Sequence, residues 1–301
     1  MKVLLLYNPK SGTRTFQAQL DYVIERFQDE GMQVVPYRMK DMEQLESYLK
    51  TLDHENYKKF IISGGDGTVH QVVNLMMKYD ITCPIAVFPS GTANDFSQYF
   101  EIPKDIAGMT DVALSDHYVP CDLGKINDHY FINVASFGNL VDISQRVNEQ
   151  TKNVLGVLAY YIKGIEEIPK LRAFEATIVA DGVVIEEHIY FALIMNGKSA
   201  GGFRKLAPYS DISDGLLDVL VFKKCPILEL MPLLIQVWNG EHPKSDYIQY
   251  IQAKQVSVSC KEPITSDLDG ETGPMLPLDI DVCQGAIQVN SYIGLSHKGM
   301  A

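Results

Sequence analysis

No two of the five cysteines are spaced Cys-x-x-Cys, and their number is odd. Cys83, Cys121, Cys225, Cys260 and Cys283 therefore support neither a structural zinc site nor a disulfide framework. Reduced thiols in a cytosolic protein are the plain reading. Basic runs are missing too. Lys and Arg total 26 against 38 Asp and Glu, a net charge of −12. That field repels polyanions, which argues against nucleic acid as a partner and leaves an anionic membrane surface only local contact. Long apolar runs are also absent. The longest stretch, "CPILELMPLLIQVW" (225–238), is interrupted by Glu229, Pro232 and Gln236 and cannot span a bilayer. The opening "MKVLLLYNPKSG" has an apolar run too short for a signal-peptide core. The seven histidines show no metal-ligand spacing, and no internal repeat or low-complexity segment occurs.

What is present is ample material for a core: 46% hydrophobic residues and moderate charge at 21% over 301 residues. That length suggests two domains. The first third alternates short apolar runs with helical periodicity. Residues 3–7, 33–37, 60–62 and 84–88 read as strands. Between them lie amphipathic helices carrying Phe16, Leu20, Val23, Ile24 and Phe27, then Leu45, Tyr48, Leu49 and Leu52 behind a cap at Asp41, then Val69, Val72, Val73, Met76 and Met77. Alternation of this kind implies a parallel sheet covered on both faces. After about residue 118 the pattern turns to strands. Asp181-Gly182 sits between two of them, a strong hairpin signal. Helices are expected at 153–167 and within 227–238. The fold class that follows is an α/β domain with a parallel sheet over residues 1–122, then a β-rich antiparallel domain over 123–287.

"FIISGGDGTVHQ" (60–71) places a carboxylate among three glycines where a strand turns into a helix. Glycines let the backbone approach a ligand, and the free N–H groups of the following helix suit an anion. Asp66 beside phosphate makes sense if a divalent cation lies between them or if it handles a proton. The plain alternative is a tight turn with Asp66 as helix N-cap. "YNPKSG" (7–12) and "FPSGTANDF" (88–96) occupy equivalent positions after the first and fourth strands. In an open parallel sheet, ligands lie beyond the carboxyl ends of the strands, so three such loops make a crevice.

Together "NPKSG", "GGDGT" and "PSGTANDF" resemble the catalytic domain of the diacylglycerol kinase family, the soluble bacterial lipid kinase type related to sphingosine and ceramide kinases. "SDGLLDV" (213–219) and "DLDGE" (267–271) extend the resemblance over nearly the whole chain. It implies a C-terminal β-sandwich, an active site in a cleft between the domains, and a terminal segment of about 288–301 returning to the first domain. It implies ATP as phosphoryl donor with Mg²⁺, and contacts from Asn8, Pro9, Lys10, Ser11, Gly12, Gly65, Asp66, Gly67, Thr68, Val69, His70, Gln71 and Thr92. Asp66 is the expected Mg²⁺-ATP carboxylate, and Lys10 is expected on phosphate or paired with Asp95 or Asp122. The family's threonine after the second strand is absent from "YRMKD" (37–41). Glu271 is the favoured proton acceptor with Asp269 close behind; without the resemblance, Asp-Gly-Glu reads as a surface hairpin turn. A second Mg²⁺ site would use the Asp214 carboxylate with the carbonyls of Asp211 and Leu216.

The implied activity is phosphoryl transfer to a lipid hydroxyl, that of diacylglycerol foremost, by a cytoplasmic protein touching membrane peripherally. A homodimer is left open. The apolar stretch 226–237 and Trp238 read as core, with a lipid-contact role for Leu233 and Leu234 as the secondary reading. Two rivals remain: a kinase resembling NAD kinases, which share the glycine–aspartate loop but are expected to carry Asn-Glu where this chain has "GTANDF", and a catalytically silent nucleotide-binding regulator.

Overall fold

The computed structural model describes residues 1–12, 16–138 and 172–292. The helix expected at 153–167 lies outside them, as does most of the terminal segment. The chain divides into two compact units, Met1–Cys121 with Gly285–Ala301, and Asp122–Gln284.

The first unit alternates as the sequence does: β1 (Lys2–Tyr7), α1 (Phe16–Asp29), β2 (Gln33–Arg38), α2 (Met42–Thr51), β3 (Tyr57–Gly64), α3 (Asp66–Lys78), β4 (Ile85–Pro89), α4 (Asp95–Tyr99) and α5 (Ile106–Leu114). Strand β1 is parallel to both β2 and β3, and β3 is parallel to β4. The spatial order is therefore β2-β1-β3-β4, with the direction of winding reversing at β1. Val3 and Leu5 point to one face, packing with Phe16, Val23 and Phe27 of α1. Leu4 and Leu6 point to the other and are equally buried. A strand buried on both faces is what a continuous apolar run encodes. Asp41 caps α2 through a 2.9 Å bond from the Gln44 N–H.

The second unit is antiparallel, and two of its boundary strands are shared along the chain. Strand β5 (Tyr118–Ile126) leads into it, followed by β6 (His129–Phe131), β7 (Val134–Gly138), β8 (Phe174–Ala180), β9 (Val183–Met195) and β10 (Leu217–Lys223). Then come helix α6 (Ile227–Asn239), β11 (Ile248–Ala253), β12 (Gln255–Cys260), β13 (Thr265–Leu268), β14 (Glu271–Met275) and β15 (Leu278–Asn290). Strands β8 and β9 form the hairpin at Asp181-Gly182, both at positive φ. Asp181 also accepts from the Lys254 and Gln255 N–H groups at 2.9 Å, tying the turn to β12. Strand β9 pairs with β7 and β10, and β13 pairs with β7 and β14, all antiparallel. Strand β10 is buried on both faces. Leu217, Val219 and Val221 enter the sandwich core with Phe131, Phe137, Ile178 and Ile194. Leu220 and Phe222 pack under Leu230, Leu233 and Val237 of α6. Each of those three helix side chains contributes about 2 kcal/mol by leaving water.

Strand β15 ends in the first unit, where Val289 pairs in parallel with Ile85. There the fully buried Lys59 ammonium donates to Ala113 O at 2.7 Å, Ser115 O at 2.8 Å and Asn290 Oδ1 at 3.2 Å.

The helix expected within 227–238 is present, but its orientation differs from expectation. Trp238 is exposed, not core, while Leu233 is buried. The helix is apolar on nearly every side, so periodicity alone does not say which side turns inward.

Candidate active site

Register sets the three loops side by side. Tyr7 is level with Ser63 across β1/β3, and Gly64 is level with Pro89 across β3/β4. Each loop therefore leaves its strand at the same height, beside the point where the winding reverses. The loops are then pinned to one another. Asn8 N–H donates to Ser63 O at 2.9 Å, and Asn8 Nδ2 donates to Thr68 Oγ1 at 3.1 Å. Ser90 N–H donates to Gly64 O at 2.9 Å. Two glycine positions allow this packing. A Cβ on Gly12, at φ +49°, would lie 1.8 Å from Ser90 O, and one on Gly91 would lie 2.6 Å from the Gly65 Cα. No side chain fits at either place.

Asp66 is the first residue of α3; the N-cap is Gly65. The plain alternative for this residue, an N-cap, is therefore not what forms. Its half-buried carboxylate accepts the Phe96 N–H at 3.1 Å, joining the second loop to the third. At the mouth of α3 the Thr68 and Val69 N–H groups fall back on Gly65 O. The Gly67 N–H, one of the first four in the helix, has no intrahelical acceptor. A Cβ on Gly67 would meet nothing within 4 Å. The hydroxyls of Ser63 and Ser90 are buried without a hydrogen-bond partner among the described residues. Open space, a helix N-terminus and two orphaned hydroxyls suit a phosphate.

The other expected contacts are placed as follows. Ser11 Oγ would lie 3.7 Å from a Cβ on Gly65, at the meeting of the loops. Pro9 is half-buried. Lys10 is exposed, its backbone N–H donating to Asn8 Oδ1 at 3.0 Å, and among the described residues its ammonium forms no ion pair with Asp95. Val69 and His70 turn inward and are buried, Gln71 is half-buried, and Thr92 is exposed. Sequence reasoning missed Asn94. It sits at φ 52°, its Oδ1 accepts the Gly91 N–H and its Nδ2 donates to Gly91 O, both at 2.8 Å. The signal was available: asparagine tolerates the left-handed region and bonds locally.

In the second unit the geometry separates Asp269 from Glu271. Asp269, at φ 54°, accepts from Ile132 N–H at 2.7 Å on one oxygen and from Asn133 and Val134 N–H at 2.9 Å on the other. Its own N–H donates to Val134 O at 2.9 Å. The Asp267 side chain accepts from Gly270 N–H at 2.8 Å, closing the turn. Glu271 is exposed at the start of β14.

Asp211 and Asp214 form consecutive turns. Asp211 accepts from Ser213 N–H and Oγ at 3.0 and 2.8 Å, and Asp214 accepts from Leu216 N–H at 2.9 Å. Burial holds the Asp214 carboxyl above the usual range, with the charges of Asp211 and Asp122 adding to it. Asp122 is itself buried, accepting from Gly215 N–H at 2.6 Å. Among the described residues no three His, Cys, Asp or Glu side chains are grouped to hold a metal ion. A cation at Asp66 or Asp214 would thus take one carboxylate, with the remaining ligands from phosphate, carbonyl and water oxygens, a mode that hard divalent cations accept. A cavity of about 230 Å³ lies instead beside α6, lined by Glu229, Leu233, Gln236, Lys244 and Tyr247 among others.

Comparison with known proteins agrees along the length of the chain. Residues 2–126 match the diacylglycerol kinase catalytic domain, and residues 133–291 match the YegS C-terminal NAD kinase beta sandwich-like domain. A protein named diacylglycerol kinase from Bacillus subtilis is 35% identical over 274 residues, 91% of this chain and 90% of that one. One of the same name from Staphylococcus carnosus is 33% identical over 273 residues, 91% of this chain and 89% of the other. A crystal structure of a diacylglycerol kinase from Bacillus anthracis str. Sterne aligns with a TM-score of 0.81 at 26% identity, covering 98% of both chains.

Proposed function

Because the chain belongs to the diacylglycerol kinase catalytic-domain family, we propose that it transfers the γ-phosphoryl group of ATP, with Mg²⁺, to a lipid hydroxyl. Diacylglycerol is the proposed acceptor and phosphatidic acid the product. The observation that carries the donor side is the convergence of three strand-end loops around a half-buried Asp66.

In this reading the Gly67 N–H and the Ser63 and Ser90 hydroxyls bind phosphate oxygens, with Asn8 to Gly12 forming the facing wall. Asp66 is the carboxylate that would hold Mg²⁺, which would supply positive charge to offset the triphosphate. The acceptor oxygen forms a bond to the γ-phosphorus, the bond to the β-phosphate oxygen breaks, and ADP leaves. Glu271 takes the hydroxyl proton, which requires a carboxylate free to reach substrate. Asp269 does not compete for that role, since three backbone amides engage it; it positions the turn that presents Glu271. Asp214, with the Asp211 and Leu216 carbonyls, would hold a second Mg²⁺, which would stabilise the turn after Ser210.

The test is a panel of acceptors with labelled Mg-ATP: diacylglycerol, ceramide, sphingosine, phosphatidylglycerol and NAD, with Asp66→Ala as the control. Label in phosphatidic acid that vanishes with Asp66→Ala is the expected result. Label in NAD alone would make the chain a nucleotide kinase. ATP binding without transfer to any acceptor would make it a regulator.

A further inference from the structure

Strand β9 ends between the starts of two others. Its last residue, Met195, is level with Val134 of β7 on one side and with Asp218 of β10 on the other. At the start of β7 lie the three amides that hold Asp269, and ahead of β10 runs the turn of Asp211 to Leu216. Asn196 is the next residue after Met195 and is fully buried. Its Nδ2 donates to Asp122 O at 2.7 Å and to Ile132 O at 3.0 Å. Its N–H donates to Asn133 O at 2.8 Å, and its carbonyl accepts from Ser210 Oγ at 3.0 Å. Its Oδ1 has no hydrogen-bond partner among the described residues. A buried acceptor left empty costs stability, so packing does not account for an amide here. What the position uses is the pair of donor hydrogens.

Those two bonds complete a chain of contacts inside the second unit. Gly215, beside Asp214, donates to the Asp122 carboxylate at 2.6 Å. Asp122 O and Ile132 O share the Asn196 amide. The Ile132 N–H donates at 2.7 Å to Asp269, two residues before Glu271. The β5/β6 ladder stops at Gly124 opposite Phe131, and beyond that point the Asn196 amide bridges the two segments. Asp122, Ile132 and Asn196 are all wholly buried. Water therefore does not compete for these bonds, which are stronger in a dry interior.

We propose that Asn196 is a positioning residue: it fixes the turn that presents Glu271 relative to the turn of Asp214, so that a disturbance of one reaches the other. This deepens the lipid-kinase reading and rests on it for the role of Glu271. Asn196 touches no reacting atom and acts through Ile132 and Asp269. A displacement of the proton acceptor by about 1 Å is enough to cost about 10²-fold in rate.

A double-mutant cycle separates this role from a plain structural one. The assay is label transfer from Mg-ATP to soluble short-chain diacylglycerol, well below the melting temperature. Asn196→Ala should lower kcat by about tenfold or more. The KM for ATP should stay within about twofold, because the strand-end loops belong to the first unit. In a Glu271→Gln background the same change should alter kcat by less than about twofold, since no proton acceptor is left to misplace. Equal losses in both backgrounds, as partial unfolding gives, would overturn the inference. So would an unchanged kcat, or a loss confined to KM. A second measurement leaves Asn196 in place and needs neither nucleotide nor lipid. By amide hydrogen exchange, Asp214→Asn should speed exchange at residues 213–216 and also at 132–134 and 269–270. Unchanged exchange at 132–134 and 269–270 would overturn the inference, and this measurement decides alone if Asn196→Ala does not fold. If wild type phosphorylates no acceptor while exchange still spreads between the turns, the kinase reading fails and the link through Asn196 stands.

Discussion

Removing Asp269 should damage the fold, whereas removing Glu271 should damage only turnover. In Asp269→Ala the amides of Ile132, Asn133 and Val134 lose a charged acceptor that holds them at 2.7, 2.9 and 2.9 Å. The first two residues are buried, so their N–H groups cannot readily turn to water. At about 1–3 kcal/mol for each buried orphan, the loss is about 3–5 kcal/mol. Alanine at φ 54° adds about 1 kcal/mol, since aspartate tolerates the left-handed region better. Against a total stability of about 5–15 kcal/mol, and about 2–4 °C per kcal/mol for a unit of this size, the melting temperature should drop by about 8 °C or more. Asp269→Asn should lie between, because its amide oxygen can still serve two of the three donors but its NH₂ cannot accept from Ile132. Glu271→Gln sits at an exposed position and should melt within about 2 °C of wild type, while kcat falls by about 10²- to 10⁴-fold. The assays are thermal unfolding followed by circular dichroism, and label transfer to soluble short-chain diacylglycerol well below the melting temperature. Wild-type melting in Asp269→Ala, or wild-type turnover in Glu271→Gln, would refute the assignment of a strut and a base to this turn.

Gly67→Ala separates binding from folding at the strand-end loops of the first unit. Its Cβ meets no protein atom within 4 Å, so the helix should gain about 0.5–1 kcal/mol. The same methyl intrudes on the space assigned to phosphate, so the KM for ATP should rise, and an unchanged KM would move the phosphate elsewhere. Lys59→Met takes the donor from Ala113 O and Asn290 Oδ1, while Ser115 O keeps the Asn290 Nδ2, and should cost about 2 kcal/mol at neutral pH by denaturant titration. Burial holds the Lys59 ammonium down at about 8, below its ordinary 10.5. The unfolded chain therefore binds the proton more tightly, and this residue's contribution to stability should rise as pH climbs from about 8 toward 10.5. The difference between wild type and Lys59→Met should widen over that interval; a constant difference would count against a charged, desolvated lysine.

The parts of the fold legible in the sequence are those where one local rule decides. Residues 3–7 form a run of apolar side chains that only a doubly covered strand can use, and Asp181-Gly182 supplies two consecutive residues at positive φ for a tight hairpin. The convergence of the three loops was readable as well, because parallel strands place all their carboxyl ends on one edge. What could not be read depends on tertiary partners. Asn94 looks like any loop asparagine until Gly91 is brought back to it, and the aspartate of "DLDGE" gives no hint of three amides more than a hundred residues earlier. Helix α6 shows a different limit. With apolar residues on nearly every side, its sequence carries no instruction about which face turns inward, and only the packing of Leu230, Leu233 and Val237 against β10 decides it.

The last strand also sets a schedule. Residue 289 pairs with residue 85, and Asn290 supplies one of the three acceptors of Lys59. Translation adds roughly 5–20 residues each second, so the stretch Met1–Cys121 is made about 8 to 34 seconds before its final edge partner exists. Through that interval the outer side of β4 has no neighbour there, and Lys59 is short of one acceptor. Newly made chains should accordingly be most vulnerable to protease and to pairing with one another near residue 85, and the unit should gain protection only once synthesis is almost finished.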